Sequence, residues 1–242
     1  MQLTLFYIIL LLFFFGGIGI YFAEKKQNSP ERKQSRLKYF TYFFIVVFLY
    51  GCICFAKNRL SWVWLSIAFA GLLEIIWLQK KNPQKRNIFY PILLVYALVS
   101  VGFYFFSSLS QSLLLYVLFT VCTFDAFCQI AGQLFGKNKI CPQLSPNKTY
   151  EGLLGGLFLT VCAFFAVGKI LEFSVHLIFI AGFTICLFSF VGDLSASWIK
   201  RKYGVKDFSS ALPGHGGFLD RFDSFIVSGA FIYLINFLFN LR

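Results

Sequence analysis

Three aspartates, Asp193, Asp220 and Asp223, share one stretch of chain with Lys200, Arg201, Lys206, Arg221 and the run Gly214-His215-Gly216-Gly217. If a helix runs through Asp193, then Ser197 and Lys200 fall on its face at i+4 and i+7; Asp220 and Asp223, three apart, share a face at the start of the last apolar segment. Such a set suits a magnesium–polyphosphate site. Mg²⁺ takes hard oxygen ligands and binds through one or two carboxylates together with substrate phosphates. Lys148, Lys200, Arg201, Lys206 and Arg221 can neutralise a polyphosphate, Arg by bidentate contact and Lys as a point charge. Gly214, Gly216 and Gly217 admit backbone N–H groups close to an anion. The plain alternative is a basic loop that merely sets membrane orientation, but that task requires neither the glycine run nor three carboxylates.

Two further acids lie in apolar surroundings, where each asks for a partner or a task. Asp125 is followed by Gln129, Gly132 and Gln133 at i+4, i+7 and i+8, which predicts a polar stripe facing a bundle interior. Glu74 has no polar neighbour at helical spacing. It reads equally as a packing residue, protonated or paired, and as a functional one.

The elements that must position these residues are membrane helices. Of the 242 residues 58% are hydrophobic and 21% aromatic, and only 13% are charged, about half the roughly 25% of a soluble domain. Apolar runs recur at 3–22, 39–56, 60–78, 89–107, 112–134, 151–169, 174–194 and 224–241, each near the roughly 20 residues that cross a bilayer as a helix. The fold class expected is an all-α polytopic bundle of about eight transmembrane helices, a single membrane domain. The first run lacks the basic flank and cleavage site of a signal peptide and reads as a retained helix. Of the seven cysteines only Cys141 falls in a loop, which argues against a disulfide and against a zinc site.

The net charge of +12 is concentrated in alternate loops: 23–38, 79–88, 135–150 and 195–223 hold 18 of the 22 Lys and Arg. That asymmetry places these loops in the cytoplasm and both termini outside, and explains the basicity without a nucleic-acid partner. Loops 23–38 and 79–88 are little more than charge and amide and read as solvated orientation signals. Loops 135–150 and 195–223 mix basic residues with Ser, Thr, Gly and carboxylates, a composition fit for phosphate.

The stretch from Ser197 to Asp223 resembles the signature of the phosphatidate cytidylyltransferases, the CDP-diacylglycerol synthases. Ser197, Ile199, Lys200, Arg201, Lys206, Asp207, Ser209, Leu212, Pro213, His215, Gly216, Gly217, Phe218, Asp220, Arg221, Phe222 and Asp223 all fit it. SPNKTYEG from Ser145 to Gly152 and DAFCQIAGQLFGK from Asp125 to Lys137 are also similar to the family, with Ala126, Phe127, Gln129 and Gln133 as departures. The resemblance covers 112–242 as the catalytic half and leaves 1–110 as divergent helices.

The resemblance implies attack by a lipid phosphate, phosphatidic acid first, on the α-phosphorus of CTP, giving a CDP-lipid and pyrophosphate. It assigns Asp193, Asp220 and Asp223 to divalent metal, Mg²⁺, with room for a monovalent cation. Asp220, Asp223, Lys206 and His215 become catalytic, His215 contacting a phosphate or giving a proton to pyrophosphate. Ser145, Lys148, Thr149, Ser197, Lys200, Arg201, Gly216, Gly217, Arg221 and Asp125 become substrate contacts. The partners expected are CTP, the lipid phosphate and the bilayer, with a homo-oligomer allowed. His176 has no polar company and reads as a helix-start residue. The competing readings are a cytidylyltransferase for an isoprenoid-ether lipid phosphate, a CTP-dependent polyprenol kinase, and a transporter with Asp125 and Glu74 on an ion path, for which no paired broken helices are visible. The charge asymmetry makes one prediction directly. A Lys202→Cys variant, in a chain stripped of its native cysteines, resists impermeant maleimide in intact cells and reacts after lysis; labelling from outside reverses the topology.

Overall fold

The computed structural model describes residues 2–24, 29–56, 59–211 and 216–239. Among these, eight helices follow one another: α1 (Gln2–Glu24), α2 (Ser29–Phe55), α3 (Leu60–Lys81), α4 (Arg86–Phe106), α5 (Gln111–Phe135), α6 (Tyr150–Ile170), α7 (Val175–Tyr203) and α8 (Leu219–Phe239). Six of them, α3 to α8, are long and apolar enough to cross a membrane, and α2 adds a shorter apolar stretch, Tyr39–Phe55. The protein is an all-α polytopic membrane protein.

The helices depart from the apolar runs where polar residues continue a turn. Helix α2 starts at Ser29, ten residues before its apolar part, so part of the basic loop 23–38 is helical. Ser followed by Pro is a helix-start pattern, and Glu, Arg, Lys and Gln are good helix formers. Helix α7 runs on to Tyr203 and stops at Gly204, whose φ of 74° lies in the left-handed region that glycine enters without a Cβ penalty. Helix α8 begins at Leu219, five residues ahead of its apolar run. Loop 79–88 is the end of α3, a short 3₁₀ turn at Pro83–Lys85 and the start of α4. Loop 135–150 holds a two-stranded antiparallel ribbon, β1 (Lys139–Cys141) and β2 (Ser145–Thr149), pairing Lys139 with Thr149 and Cys141 with Ser145.

Two aromatic centres organise the bundle. Trp64 of α3, fully buried, packs against Phe103 and Phe106 of α4 and Phe225 of α8, with ring centroids 5.4, 6.0 and 5.4 Å away. Tyr116 of α5 packs on Phe164 of α6 and Phe173, and its hydroxyl donates to the Ile178 carbonyl of α7 at 2.7 Å. Between the two centres α7 crosses α8 on small residues: Ser224 and Ser228 donate to the carbonyls of Ser189 and Ile185. Gly192 lies there against Ser224, where a Cβ would come within 3.1 Å of its Cα. Small residues and hydroxyls are how helices meet closely in lipid, where apolar contact gives no preference over the solvent.

Helices α5 and α6 meet most closely of all, at Gly156. A Cβ there would stand 2.6 Å from the backbone N and Cα of Cys128, so the two helices would have to separate. Gly156→Leu therefore lowers stability by about 1–3 kcal/mol or more, the range of overpacked cores. Thermal unfolding of the detergent-extracted protein measures this, and a transition equal to wild type would contradict the close approach.

Candidate functional site

One end of the bundle gathers the polar residues. The end of α3, the ribbon and the end of α7 are tied there: Tyr203 donates to Gln79 Oε1 at 2.7 Å, Lys85 Nζ reaches the Lys202 carbonyl, and Arg201 Nε donates to the Leu144 carbonyl at 3.1 Å. Three of the four basic loops thus lie together. Glu151, in the first turn of α6, accepts from the backbone N–H groups of Lys137 and Asn138 and so fixes the turn that leads into the ribbon.

Within this end the acidic residues divide into two groups. Asp220 is the centre of the first. Its Oδ1 accepts from Lys200 Nζ at 2.6 Å, and its Oδ2 accepts from the backbone N–H of Phe208 at 2.9 Å and of Gly217 at 2.8 Å. Its side chain is 1% exposed. Beside it stands Glu74 of α3, which accepts from Ser209 Oγ at 2.6 Å and from the backbone N–H groups of Phe218 and Leu219 at 2.7 Å each. These last two N–H groups are the orphan donors of the α8 N-terminus, and a carboxylate there meets both the donors and the positive end of the helix dipole. A Cβ on Gly217 would lie 2.8–2.9 Å from oxygens of both carboxylates, so only glycine fits between them. Gly216 takes φ 84° against Asp207, again a glycine position.

The second group is Asp125 of α5, Asp193 of α7 and Asp223 of α8. Asp125 accepts from Ser189 Oγ at 3.0 Å. Asp193 pairs with Lys148 Nζ at 2.7 Å and accepts a long hydrogen bond of 3.4 Å from Ser197 Oγ one turn on. Asp223 accepts from the Ser224 N–H at 2.8 Å. The three are near enough to act on one another as like charges, with Lys148 opposing the charge of Asp125 and Lys200 that of Asp223. Crowded carboxylates of one sign attract cations. The Lys148 ammonium also lies 4.6 Å over the Phe190 ring.

The residues singled out in the sequence are placed as follows. Asp193, Ser197 and Lys200 share one face of α7, as their spacing requires. Lys206 is exposed and makes no ion pair or hydrogen bond among the described residues. Arg221 has a buried Nε with no acceptor among the described residues. Arg201 is spent on carbonyls, those of Leu144 and Val205. Ser145 opens β2 and is partly buried, and Thr149 caps α6 by accepting from the Gly152 N–H at 3.1 Å. Gly214 and His215 lie outside the described residues, as do Leu212 and Pro213. His176 is exposed in the first turn of α7, a helix-start residue as expected.

Two expectations change. The stripe after Asp125 does not face the interior throughout: Gln129 and Gln133 are exposed, because the last two turns of α5 turn these positions away from α6 while Gly132 packs against Gly152. Glu74, without an evident partner in the sequence, is a principal organiser of the site. Its only sequence signal is an acid alone in an apolar span, since two of its three donors are backbone groups.

A hard divalent cation fits part of this donor set. Among the described residues no three His, Cys, Asp or Glu side chains converge to enclose a metal by themselves. Asp193 and Asp223 present carboxylate oxygens beside two lysines, which matches the few protein ligands that Mg²⁺ takes when phosphates complete its shell. Asp220 has both oxygens engaged by protein donors.

Fold and site together define a polytopic membrane protein with a carboxylate- and lysine-lined polar centre at one end of its bundle. Residues 1–239 match the cytidylyltransferase family, and the chain belongs to that family. The match includes residues 1–110, which carry no recognisable motif. Over 135 residues the chain is 42% identical to the phosphatidate cytidylyltransferase of Staphylococcus aureus (strain COL), 41% to that of Staphylococcus haemolyticus (strain JCSC1435) and 39% to that of Staphylococcus epidermidis (strain ATCC 12228 / FDA PCI 1200). Each alignment covers 54% of this chain and 52% of the relative, so the chain spans about half the length of the curated relatives it matches.

The division of carboxylates predicts two kinds of variant. Asp220→Asn leaves the partly buried Lys200 ammonium without the carboxylate that it pairs with and costs on the order of 3 kcal/mol, seen as a lower unfolding temperature of the extracted protein. Asp223→Asn removes a charge from a crowded acidic group and leaves the unfolding temperature near wild type or above it. Equal destabilisation by both would contradict the division.

Proposed function

We propose that this chain transfers the cytidylyl group of CTP to a lipid phosphate, phosphatidic acid before others, to form CDP-diacylglycerol and pyrophosphate. The observation that carries this reading is the coexistence, at one end of a membrane bundle, of free and loosely held cations with a crowded carboxylate group. Among the described residues Lys206 is exposed without a partner and Arg221 Nε is buried without an acceptor, while Asp125 and Asp193 stand beside Lys148 and Asp223 beside Lys200. Membership of the cytidylyltransferase family and the names of the staphylococcal relatives support it.

The chemistry demands little of the side chains beyond alignment and charge. An oxygen of the lipid phosphate bonds to the α-phosphorus of CTP while the bond from that phosphorus to the oxygen bridging toward the β-phosphate breaks, and pyrophosphate departs with the electron pair. The attacking oxygen is already a nucleophile, so no Ser, Cys or His needs activation. Lys206, Arg221 and Lys148 bring positive charge to the reacting phosphates, while the Gly217 N–H is already given to Asp220. Lys200, held by Asp220, contributes a fixed charge. Asp193 and Asp223 would hold Mg²⁺, which when bound supplies charge neutralisation to the triphosphate. The same face is cytoplasmic by the positive-inside bias, in the compartment that contains CTP.

The test is product identity. The full chain in mixed micelles with Mg²⁺, α-labelled CTP and phosphatidic acid yields CDP-diacylglycerol and pyrophosphate; release of CDP with a newly phosphorylated lipid would mark a kinase and overturn the reading. An isoprenoid-ether lipid phosphate run in parallel identifies the acceptor. Lys206→Ala lowers kcat/KM for CTP by roughly a hundredfold, since phosphate charge is met in both ground and transition states. Exposed Lys202→Ala stays within about twofold of wild type, as expected for a surface charge. Equal loss in both variants would reduce the loop to a generic basic surface.

A further inference from the structure

We propose that Glu74 is a positioning residue for the reaction, a latch on α3 that sets the loop between α7 and α8 and with it the distance between Lys206 and the α8 carboxylates. The proposal rests on the reading of the site as cytidylyl-transferring. Glu74 is 8% exposed and accepts three hydrogen bonds from residues 135, 144 and 145 positions away. Its donors lie on both arms of the loop: Ser209 on the outgoing arm, Phe218 and Leu219 on the returning one. Asp220 grips the same two arms one residue away, at Phe208 and at Gly217. Two carboxylates therefore close the loop like a double clasp, with Gly217 between them because a Cβ would meet both.

The clasp decides what the loop can present. Lys206 stands two residues before the first clasped position, and Asp223 lies one helical turn beyond the last. A shift of the returning arm against α3 would move the α8 N-terminus, and with it Asp220, Arg221 and Asp223, relative to Asp193 on α7. Misplacement of about 1 Å in such a constellation is enough to cost a large factor in rate. A carboxylate suits the task because the donors arrive from two directions. Phe218 N–H meets Oε1 and Leu219 N–H meets Oε2, so either orientation of an amide in its place would turn an NH₂ toward a backbone N–H. The signature stretch thus depends on an acid from the half of the chain without a motif.

The full chain in mixed micelles tests this with Glu74→Gln and Ser209→Ala. Glu74→Gln is expected to lower kcat/KM for CTP roughly ten- to hundredfold, the scale of a lost charge-assisted hydrogen bond, and to leave KM for the lipid phosphate within about twofold. Ser209→Ala, which removes one of the three donors, moves the same parameter in the same direction by roughly threefold to tenfold. A merely structural role would lower the unfolding temperature and yield but leave kcat and both KM values of the folded protein unchanged, and that result would overturn the proposal. Should Glu74→Gln fail to fold, Ser209→Ala within twofold of wild type overturns it equally. Hydrogen exchange supplies a readout that needs no turnover: the Phe218 and Leu219 amides are protected in wild type and exchange at least about tenfold faster in Glu74→Gln, or in Ser209→Ala by a smaller factor. Unchanged exchange removes the latch. A wild-type chain inert toward CTP but showing the exchange difference would sink the functional reading and leave the latch standing.

Discussion

A helix that begins at the edge of a membrane carries backbone N–H groups with no partner in its own first turn, and lipid offers them none. In α8 this constraint is met by carboxylates brought from two directions, Glu74 of α3 for Phe218 and Leu219, and Asp220 of α8 itself for Gly217. Much else follows. Helix α3 must lie beside the start of α8, which sets the packing of Trp64 on Phe225 and, through Phe103 and Phe106, the place of α4. Glycine must occupy position 217, and Lys200 must reach across to balance the second acid.

This arrangement separates acids that complete the fold from acids left to act outward. Glu74 and Asp220 are saturated by protein donors. Asp193 and Asp223 hold fewer, and with Asp125 they form a crowded carboxylate group beside Lys148 and Lys200. Identical side chains three residues apart on α8 thus meet different surroundings: Asp220 points into the loop, and Asp223 toward α7.

Much of this was legible in the sequence. The apolar runs located the helices to within a few residues through α3–α6, and Asp193, Ser197 and Lys200 share the α7 face that their spacing required. The signature also drew attention to Asp220 and Gly217, although not to the hydrogen bonds they make. What was hidden has identifiable causes. The ribbon at 139–149 consists of two very short strands without apolar alternation, so no period marks it. The early start of α2 is polar and reads as loop by hydropathy. Gln129 and Gln133 follow helical spacing faithfully, yet spacing cannot say where a neighbouring helix ends. Glu74 escaped because backbone N–H groups are common to every residue, so its partners left no mark in the residue types.

Helix α7 has 29 residues, which at 1.5 Å per residue gives it roughly 43 Å against about 30 Å of hydrocarbon. The surplus is at the end that bears Asp193, Ser197 and Lys200, and Asp193 and Lys200 are therefore separated by about 10 Å along the axis. This one rod grades from oil to water across the span where its polar groups sit. In the proposed reaction, two reactants of opposite solubility, one whose tails never leave the bilayer and one that never enters it, would be met at different heights on the same rigid scaffold, and neither would have to change phase for their phosphates to touch.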